Sequence, residues 1–427
     1  MNILLMTNTY KPLVGGLEKS VSSFADEYRK AGHRVIIVAP EFPDMLPEND
    51  VIRIPAFKHY NGSNFSVQLP IQGTLTKALD DFTPQIVHSQ HPFLIGDTAL
   101  RIAAKYNVPL VFTHHSLYEE NVHYMPGNIE ALKRFMIELS TGYANLADHV
   151  FSPSESVMRM LKERGVTSPI DVVPTGIYTE EFGEGEGRAF REKLNIPVNA
   201  YVVGHVGRLA PEKNLEFLTQ AIVQFLKREP ESRFLIGGSG PSEESIKEIM
   251  AKENLTGRLH LAGMLKGKEL INAYHAMNVF VFASQSETQG LVVTEAMAAG
   301  IPVVAVDAPG VREVVKDLVN GRLLVNESVE DFVGALTWLK KQPDAEVIRI
   351  RQACQETAQL FAMTDCAQKA LKIYVALTTN RGFSRRKNED GFWSNVVHSI
   401  QAQWGTAKNL THAAGAYISP STDTAKS

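Results

Sequence analysis

Two cysteines, Cys354 and Cys366, are all that a chain of 427 residues contains. That is too few for a disulfide framework and points to a reducing compartment, the cytoplasm. No apolar run approaches the roughly 20 residues of a membrane-spanning helix, so any membrane contact is expected to be peripheral. Charge of one sign is missing too: 43 Lys and Arg against 47 Asp and Glu leave a net charge of -4. That balance excludes a global attraction to nucleic acid, and no nucleic-acid partner is expected. The N-terminus shows no basic leader or cleavage site and starts on the strand-like NILLMTNTY. What is present is ordinary for a soluble globular protein. Hydrophobic residues make up 44% and charged residues 21%, over a length that suggests two or three domains.

Strand-like and helix-like segments alternate twice. The first set runs through NILLMTNTY, a helix over 17–31, HRVIIVA, a helix over 71–81, IVHSQ and a helix over 97–106. PLVFTHH, a long helix over 129–146 and HVFSPS complete it. The second set starts at DVVPTG and YVVGHVGR. It continues with helices over 214–227, 243–253 and 268–277, separated by SRFLIGG and LHLAG. Such alternation predicts an α/β protein with parallel sheets covered by helices on both faces. Two doubly wound Rossmann-like domains fit the length better than one large sheet. The acidic, Gly-rich and non-periodic EEFGEGEG, residues 180 to 187, reads as the hinge, with domains at 1–180 and 188–360.

The most informative stretch is VFVFASQSETQGLVVTEAMAAGIPVVA, residues 279–305. It reads as a buried strand, a polar loop, a helix opened by Gly290, a stop at Gly300-Ile301-Pro302 and a second strand. Glu287 and Glu295 are eight residues apart, about 80° of rotation on one continuous helix. With Glu287 in the loop and Glu295 a turn inside the helix, both are expected to face the crevice at the strand's carboxyl end, where open α/β sheets bind ligands. The amides of Gly290, Leu291 and Val292 are helix-start donors suited to a phosphate. The plainer alternative is a helix start with favourable acids and a small-residue face packed on the sheet.

The full string, Glu, seven residues, Glu, then Ala-Met-Ala-x-Gly-x-Pro-Val, resembles the signature of retaining GT-B glycosyltransferases of family 4. The resemblance covers roughly residues 1–378. It implies GT-B architecture, two Rossmann-like domains facing across a cleft. The N-terminal domain is then acceptor-side, and the C-terminal one binds the nucleotide sugar. The last helices, about 361–378, are expected to cross back to the first domain. Glu287 is implied on the donor hexose and Glu295 on the ribose hydroxyls.

GHVGRLAPEKN, residues 204–214, resembles the family's Gly-Arg-Leu-x-x-x-Lys-Asn loop. Arg208 offers a planar fork of donors to phosphate oxygens and Lys213 a compact charge. Together they suit the negative charge that grows on a departing nucleoside diphosphate. Taken alone, the segment reads as a solvated loop. No Asp-x-Asp pair occurs in the chain, so the metal-holding motif of the other large glycosyltransferase fold is missing. No metal and no cofactor beyond the nucleotide-sugar donor is expected to be required.

Gly15-Gly16, after the first strand, lets backbone approach a phosphate or sugar. It is not GxGxxG, and no acid sits in the ribose-binding place about 20 residues on. The resemblance puts this loop along the cleft, and Gly15 and Gly16 join the donor-binding set. THHSLYEENVHY, residues 113–124, follows a strand and is dense in polar and aromatic groups, which suits a substrate lip. Its histidine spacing matches no standard zinc pattern. The stretch resembles His-Thr-x-Tyr-Glu-x-x-x-His-Tyr of bacterial 1,2-diacylglycerol 3-alpha-glucosyltransferases, with His115 on the family histidine and Ser116 in place of Thr. Gln289 agrees, since Thr-Gln-Gly is a variant of that branch. His115 is therefore expected near the reacting carbon of the sugar, with Tyr118 and Tyr124 on the acceptor side.

These features together predict a retaining α-hexosyltransferase that moves glucose from UDP-glucose to diacylglycerol at a membrane surface. Relatives acting on phosphatidylinositol, a polysaccharide or a small-molecule acceptor are the alternatives. A UDP-sugar epimerase and a non-catalytic sugar-nucleotide sensor share the architecture. The tail, residues 381–427, lies beyond the resemblance. Phe392, Trp393, Val396, Val397, Ile400 and Trp404 fall on one helical face, after Arg381, Arg385, Arg386 and Lys387. That suits an interfacial membrane anchor and equally a stripe packed on the protein's own surface. From about Gly405 the composition reads as disordered.

Overall fold

The computed structural model describes residues 1–13, 15–42, 47–57, 67–68, 72–120 and 129–379. The expectations for Tyr124 and the tail lie outside the described residues. The chain divides into two compact units, Met1–Thr175 with the chain from Thr364, and Gly176–Met363.

The strands of the first unit are β1 (Asn2–Met6), β2 (Arg34–Pro40), β3 (Val51–Ile54), β4 (Ala56–Phe57), β5 (Val67–Gln68), β6 (Ile86–Ser89), β7 (Leu110–Thr113), β8 (His149–Ser152) and β9 (Ile170–Val172). Seven of them form a parallel sheet in the order β3-β2-β1-β6-β7-β8-β9, and β4 pairs with β5 apart from it. Helices α1 (Gly16–Lys30), α2 (Gln72–Asp80), α3 (Ile95–Tyr106), α4 (Ile129–Leu146) and α5 (Glu155–Glu163) connect them. The central strands β6, β7 and β8 are buried along their whole length. That is why they read as near-continuous apolar runs rather than as alternating ones.

The second unit carries α6 (Gly187–Lys193), β10 (Tyr201–Val206), α7 (Leu215–Arg228), β11 (Ser232–Gly237), α8 (Glu243–Lys252), β12 (Leu259–Leu261) and α9 (Gly267–His275). It continues with β13 (Val279–Phe282), α10 (Leu291–Ala298), β14 (Val303–Val306), α11 (Val311–Val314), β15 (Gly321–Leu324), α12 (Val329–Lys340) and α13 (Asp344–Gln359). Its sheet has the order β12-β11-β10-β13-β14-β15. In each unit the strand order reverses once, between β1 and β6 and between β10 and β13. Those reversals are topological switch points, where doubly wound sheets bind ligands. The last described helix, α14 (Met363–Thr379), packs on the first unit. Its Tyr374 ring stacks on Phe151 at 5.8 Å and meets Tyr28 edge-on at 5.5 Å.

Two expectations change. DVVPTG, grouped with the second alternating set but inside the 1–180 bound, belongs to the first sheet: β9 pairs in parallel with β8, through Val150 with Ile170 and Ser152 with Val172. The division between the units also lies a few residues before the acidic Gly-rich run. Ile177 N–H donates to the Phe361 carbonyl and Met363 N–H to the Ile177 carbonyl, each at 2.9 Å, so the division falls at Gly176. Glu186 N–H donates to Asn272 Oδ1 at 2.8 Å, which ties the run to α9. Acidic composition marks exposure here, and backbone hydrogen bonds decide the packing.

Candidate active site

In the second unit both motif loops leave the strands that flank the switch point. The loop after β13 needs two glycines. Gly290 caps α10 in the left-handed region, φ 75° and ψ 44°, where a Cβ is strained. A Cβ at Gly310 would collide with the Gln289 backbone nitrogen. The close approach lets Gly310 N–H donate to the Glu287 carbonyl at 3.0 Å. Glu287 is thereby held at the start of α10. Its Oε1 accepts from Gly290 N–H at 3.3 Å and its Oε2 from Lys213 Nζ at 3.0 Å.

Lys213 ends the short helical turn Pro211–Lys213 after β10. Its ammonium also lies 6.0 Å above the Phe282 ring at the end of β13. Ser284 Oγ donates to the Glu212 carbonyl at 3.1 Å and ties the two loops together. Arg208 is paired with Glu212, and its side chain stays 60% exposed. Glu295 is only 3% exposed, and its Oε2 accepts from the Tyr274 hydroxyl at 2.9 Å. The expectation of three open amides is corrected: Gly290 N–H is taken by Glu287. Leu291 and Val292 remain as first-turn donors that the helix itself does not use.

In the first unit the matching switch point carries a cluster of histidines. His115, two residues past β7, donates through Nε2 to Gln90 Oε1 at 2.7 Å. The amide oxygen is an acceptor, so Nε2 carries the proton. Burial pushes His115 down to about 4, so the ring is neutral at neutral pH. His88 bonds Thr113 Oγ1 at 2.7 Å and the Tyr374 hydroxyl at 2.5 Å. His88, Gln90, Thr113 and His115 border a small cavity together with Ser20 and Thr175. Gly15 precedes α1 and Gly16 is its first residue, with Gly15 in extended backbone that any residue adopts. Tyr118 is not on an open lip. It is 6% exposed, and its ring packs edge-on against Phe93 at 5.2 Å and His114 at 5.3 Å. The aromatic density that suggested a lip is core packing at this position.

Three neighbours escaped the motif reading. Gln90 ends the predicted strand IVHSQ, and the rule that ligands gather at strand carboxyl ends would have found it. Tyr274 carries no sequence signal, because a tyrosine on a helix's apolar face reads as core. His205, inside β10, is also buried. Its Nδ1 donates to the Val281 carbonyl at 3.0 Å, while Nε2 meets no partner. Among the described residues no group of three or more His, Cys, Asp or Glu could hold a metal ion. No described helix is long and apolar enough to cross a membrane.

Comparison with known proteins agrees with this geometry. The family model for glycosyl transferases group 1 matches residues 187–360, and that for glycosyltransferase family 4 matches residues 14–181. An alpha-monoglucosyldiacylglycerol synthase of Streptococcus pneumoniae is 30% identical over 348 residues, 79% of this chain and 77% of the relative. A GDP-mannose-dependent alpha-mannosyltransferase of Mycobacterium tuberculosis is 29% identical over 339 residues, 76% of this chain and 84% of the relative. Anabaena HepE, solved in complex with UDP, superposes with a TM-score of 0.70 at 20% identity, over 88% of this chain and 100% of that one. The two parallel-sheet units are those of the GT-B fold. The chain belongs to the group 1, family 4 glycosyltransferases.

Proposed function

We propose that the protein is a retaining α-glucosyltransferase that moves glucose from UDP-glucose onto a hydroxyl of diacylglycerol at a membrane surface. The observation that carries this is the meeting of Lys213 and Glu287, at 3.0 Å, beside the start of α10. Lys213, Arg208 and the Leu291 and Val292 amides take the departing diphosphate, where cations and a helix start stabilise the growing charge. Glu287 receives the hexose hydroxyls and Glu295 the ribose hydroxyls. His115, a neutral imidazole, serves the sugar near the reacting carbon. The acceptor hydroxyl gives its proton to the departing phosphate oxygen on the same face, so no side chain acts as general base.

Glucose and diacylglycerol are supported by the activity named for the pneumococcal relative, together with the His115 stretch and Gln289. The GDP-mannose named for the mycobacterial relative keeps an α-mannosyltransferase as the second reading. Incubation of the pure protein with UDP- and GDP-sugars, with and without diacylglycerol micelles, tests both. UDP-glucose is expected to release UDP slowly alone and fast with diacylglycerol. Faster turnover of GDP-mannose would overturn the donor, and equal transfer to water-soluble sugars would overturn the lipid acceptor.

A further inference from the structure

Glu295 is a carboxylate almost wholly enclosed by protein, and such a group is costly to bury unless it is hydrogen-bonded. The Tyr274 hydroxyl, from α9, donates to its Oε2 at 2.9 Å. The same hydroxyl lies 3.3 Å from the Val292 carbonyl in the first turn of α10. Tyr274 itself has no freedom to follow Glu295. Its ring has no exposed surface, and it is wedged edge-on against Phe182 at 6.0 Å and tilted against Phe280 at 5.8 Å. Burial and the Glu295 charge raise its phenol well above the ordinary value, so the hydroxyl remains a donor. A carboxylate accepts up to about four hydrogen bonds, and one bond to a fixed donor sets the plane in which the others are received. A vicinal diol presents two donors in a fixed relation, so its recognition depends on that plane.

We propose that Tyr274 is a positioning residue for donor recognition, its hydroxyl holding the Glu295 carboxylate in the orientation that receives the 2′ and 3′ hydroxyls of the donor's ribose. This rests on the role given to Glu295 above. Were Tyr274 only a partner for a buried charge, its loss would lower stability without touching the choice of sugar.

Tyr274→Phe keeps the ring between Phe182 and Phe280 and removes only the hydroxyl. Calorimetry with UDP and 2′-deoxy-UDP on both proteins reads the effect. Wild type is expected to prefer UDP by on the order of tenfold, the scale of a hydrogen bond to a charged group. In Tyr274→Phe that preference should shrink toward unity, chiefly through weaker UDP binding. KM for UDP-glucose should rise by about tenfold with kcat within about twofold, the pattern of lost uniform binding. In a Glu295→Ala background the Tyr274→Phe change should have no further effect on UDP binding. A variant that keeps the wild-type ratio of UDP to 2′-deoxy-UDP affinity overturns the proposal, whatever its melting temperature. Wild-type protein that binds UDP without ribose preference overturns the Glu295 role and the proposal with it. Wild-type protein that binds no UDP at all overturns the donor assignment first.

Discussion

The ammonium of Lys213 lies 3.0 Å from Oε2 of Glu287, a residue 74 positions further along the chain. Both groups are assigned to the donor, one to its diphosphate and one to its hexose. Paired in this way, each offsets the other's charge. A diphosphate therefore has to take Lys213 from Glu287, and that competition is measurable.

Lys213→Ala is expected to lower turnover by on the order of 10², the scale for removing a preorganised charge contact. Its melting temperature should barely change, because a partly exposed pair contributes at most about 1 kcal/mol. Glu287→Gln is expected to bind UDP about two- to fivefold more tightly than wild type, since it frees Lys213 from such a pair. Transfer should fall in the same variant as the hexose loses its partner. Calorimetry beside steady-state rates checks both, and weaker UDP binding by Glu287→Gln rules the competition out.

If Arg208 and Lys213 neutralise the departing diphosphate as proposed, its departure needs no divalent ion. Activity is therefore expected to survive excess EDTA. Loss of activity in chelator that magnesium or manganese restores would show that the two cations do not suffice.

Burial lowers His88, His91 and His114 to about 3 and His115 to about 4. These rings are neutral in the folded chain, whereas the unfolded chain takes up protons below about pH 6.5. The unfolded state then binds more protons, so stability falls as pH drops from about 6.5 toward 4. Thermal unfolding of the first unit should show a midpoint that declines between pH 7 and pH 5. His114 has no partner for either ring nitrogen and lies 5.9 Å from the Phe112 ring. His114→Phe should raise stability by about 1 kcal/mol, since an unsatisfied buried polar group costs roughly that or more. It should also flatten the pH dependence. A lower melting temperature at pH 5 than wild type would contradict this account.

His115→Ala is expected to abolish transfer and leave the unfolding midpoint nearly unchanged. Gln90→Leu should lower kcat/KM by on the order of tenfold, because the His115 ring loses the bond that sets its tautomer. Full activity in Gln90→Leu would show that the 2.7 Å bond has no part in the reaction.

A chain shortened by residues 388–427 retains α14 and Tyr374, hence the 2.5 Å bond to His88. It is expected to remain folded and to sediment less with anionic vesicles. Unchanged vesicle binding, or collapse of the fold, would show that the aromatic stripe belongs to the protein's own core.

Much of the frame was readable along the chain. The apolar runs that became β6, β7, β13 and β14 are buried on both faces, so periodicity located them without any partner. Gly290 and the Gly300-Ile301-Pro302 stop marked both ends of α10, because left-handed backbone and a missing N–H are local constraints. Alternation grouped the strand of DVVPTG with the second set although the 1–180 bound contains it, since edge strands carry the same local pattern in either sheet. Tyr118 was placed on an acceptor-side lip for a related reason: polar neighbours in sequence say nothing about the rings that pack on it in space.

The sequence by itself determined the two α/β units, the loops at their switch points and the identity of the acids and cations in those loops. All of these follow from local spacing, turn chemistry and motif. Only the tertiary structure decided that Lys213 meets Glu287, that Tyr274 reaches Glu295, and that His88 bonds Tyr374 across 286 residues. Those pairings depend on which strands lie side by side. Strand order is a property of the whole chain's packing, and no window of neighbouring residues contains it.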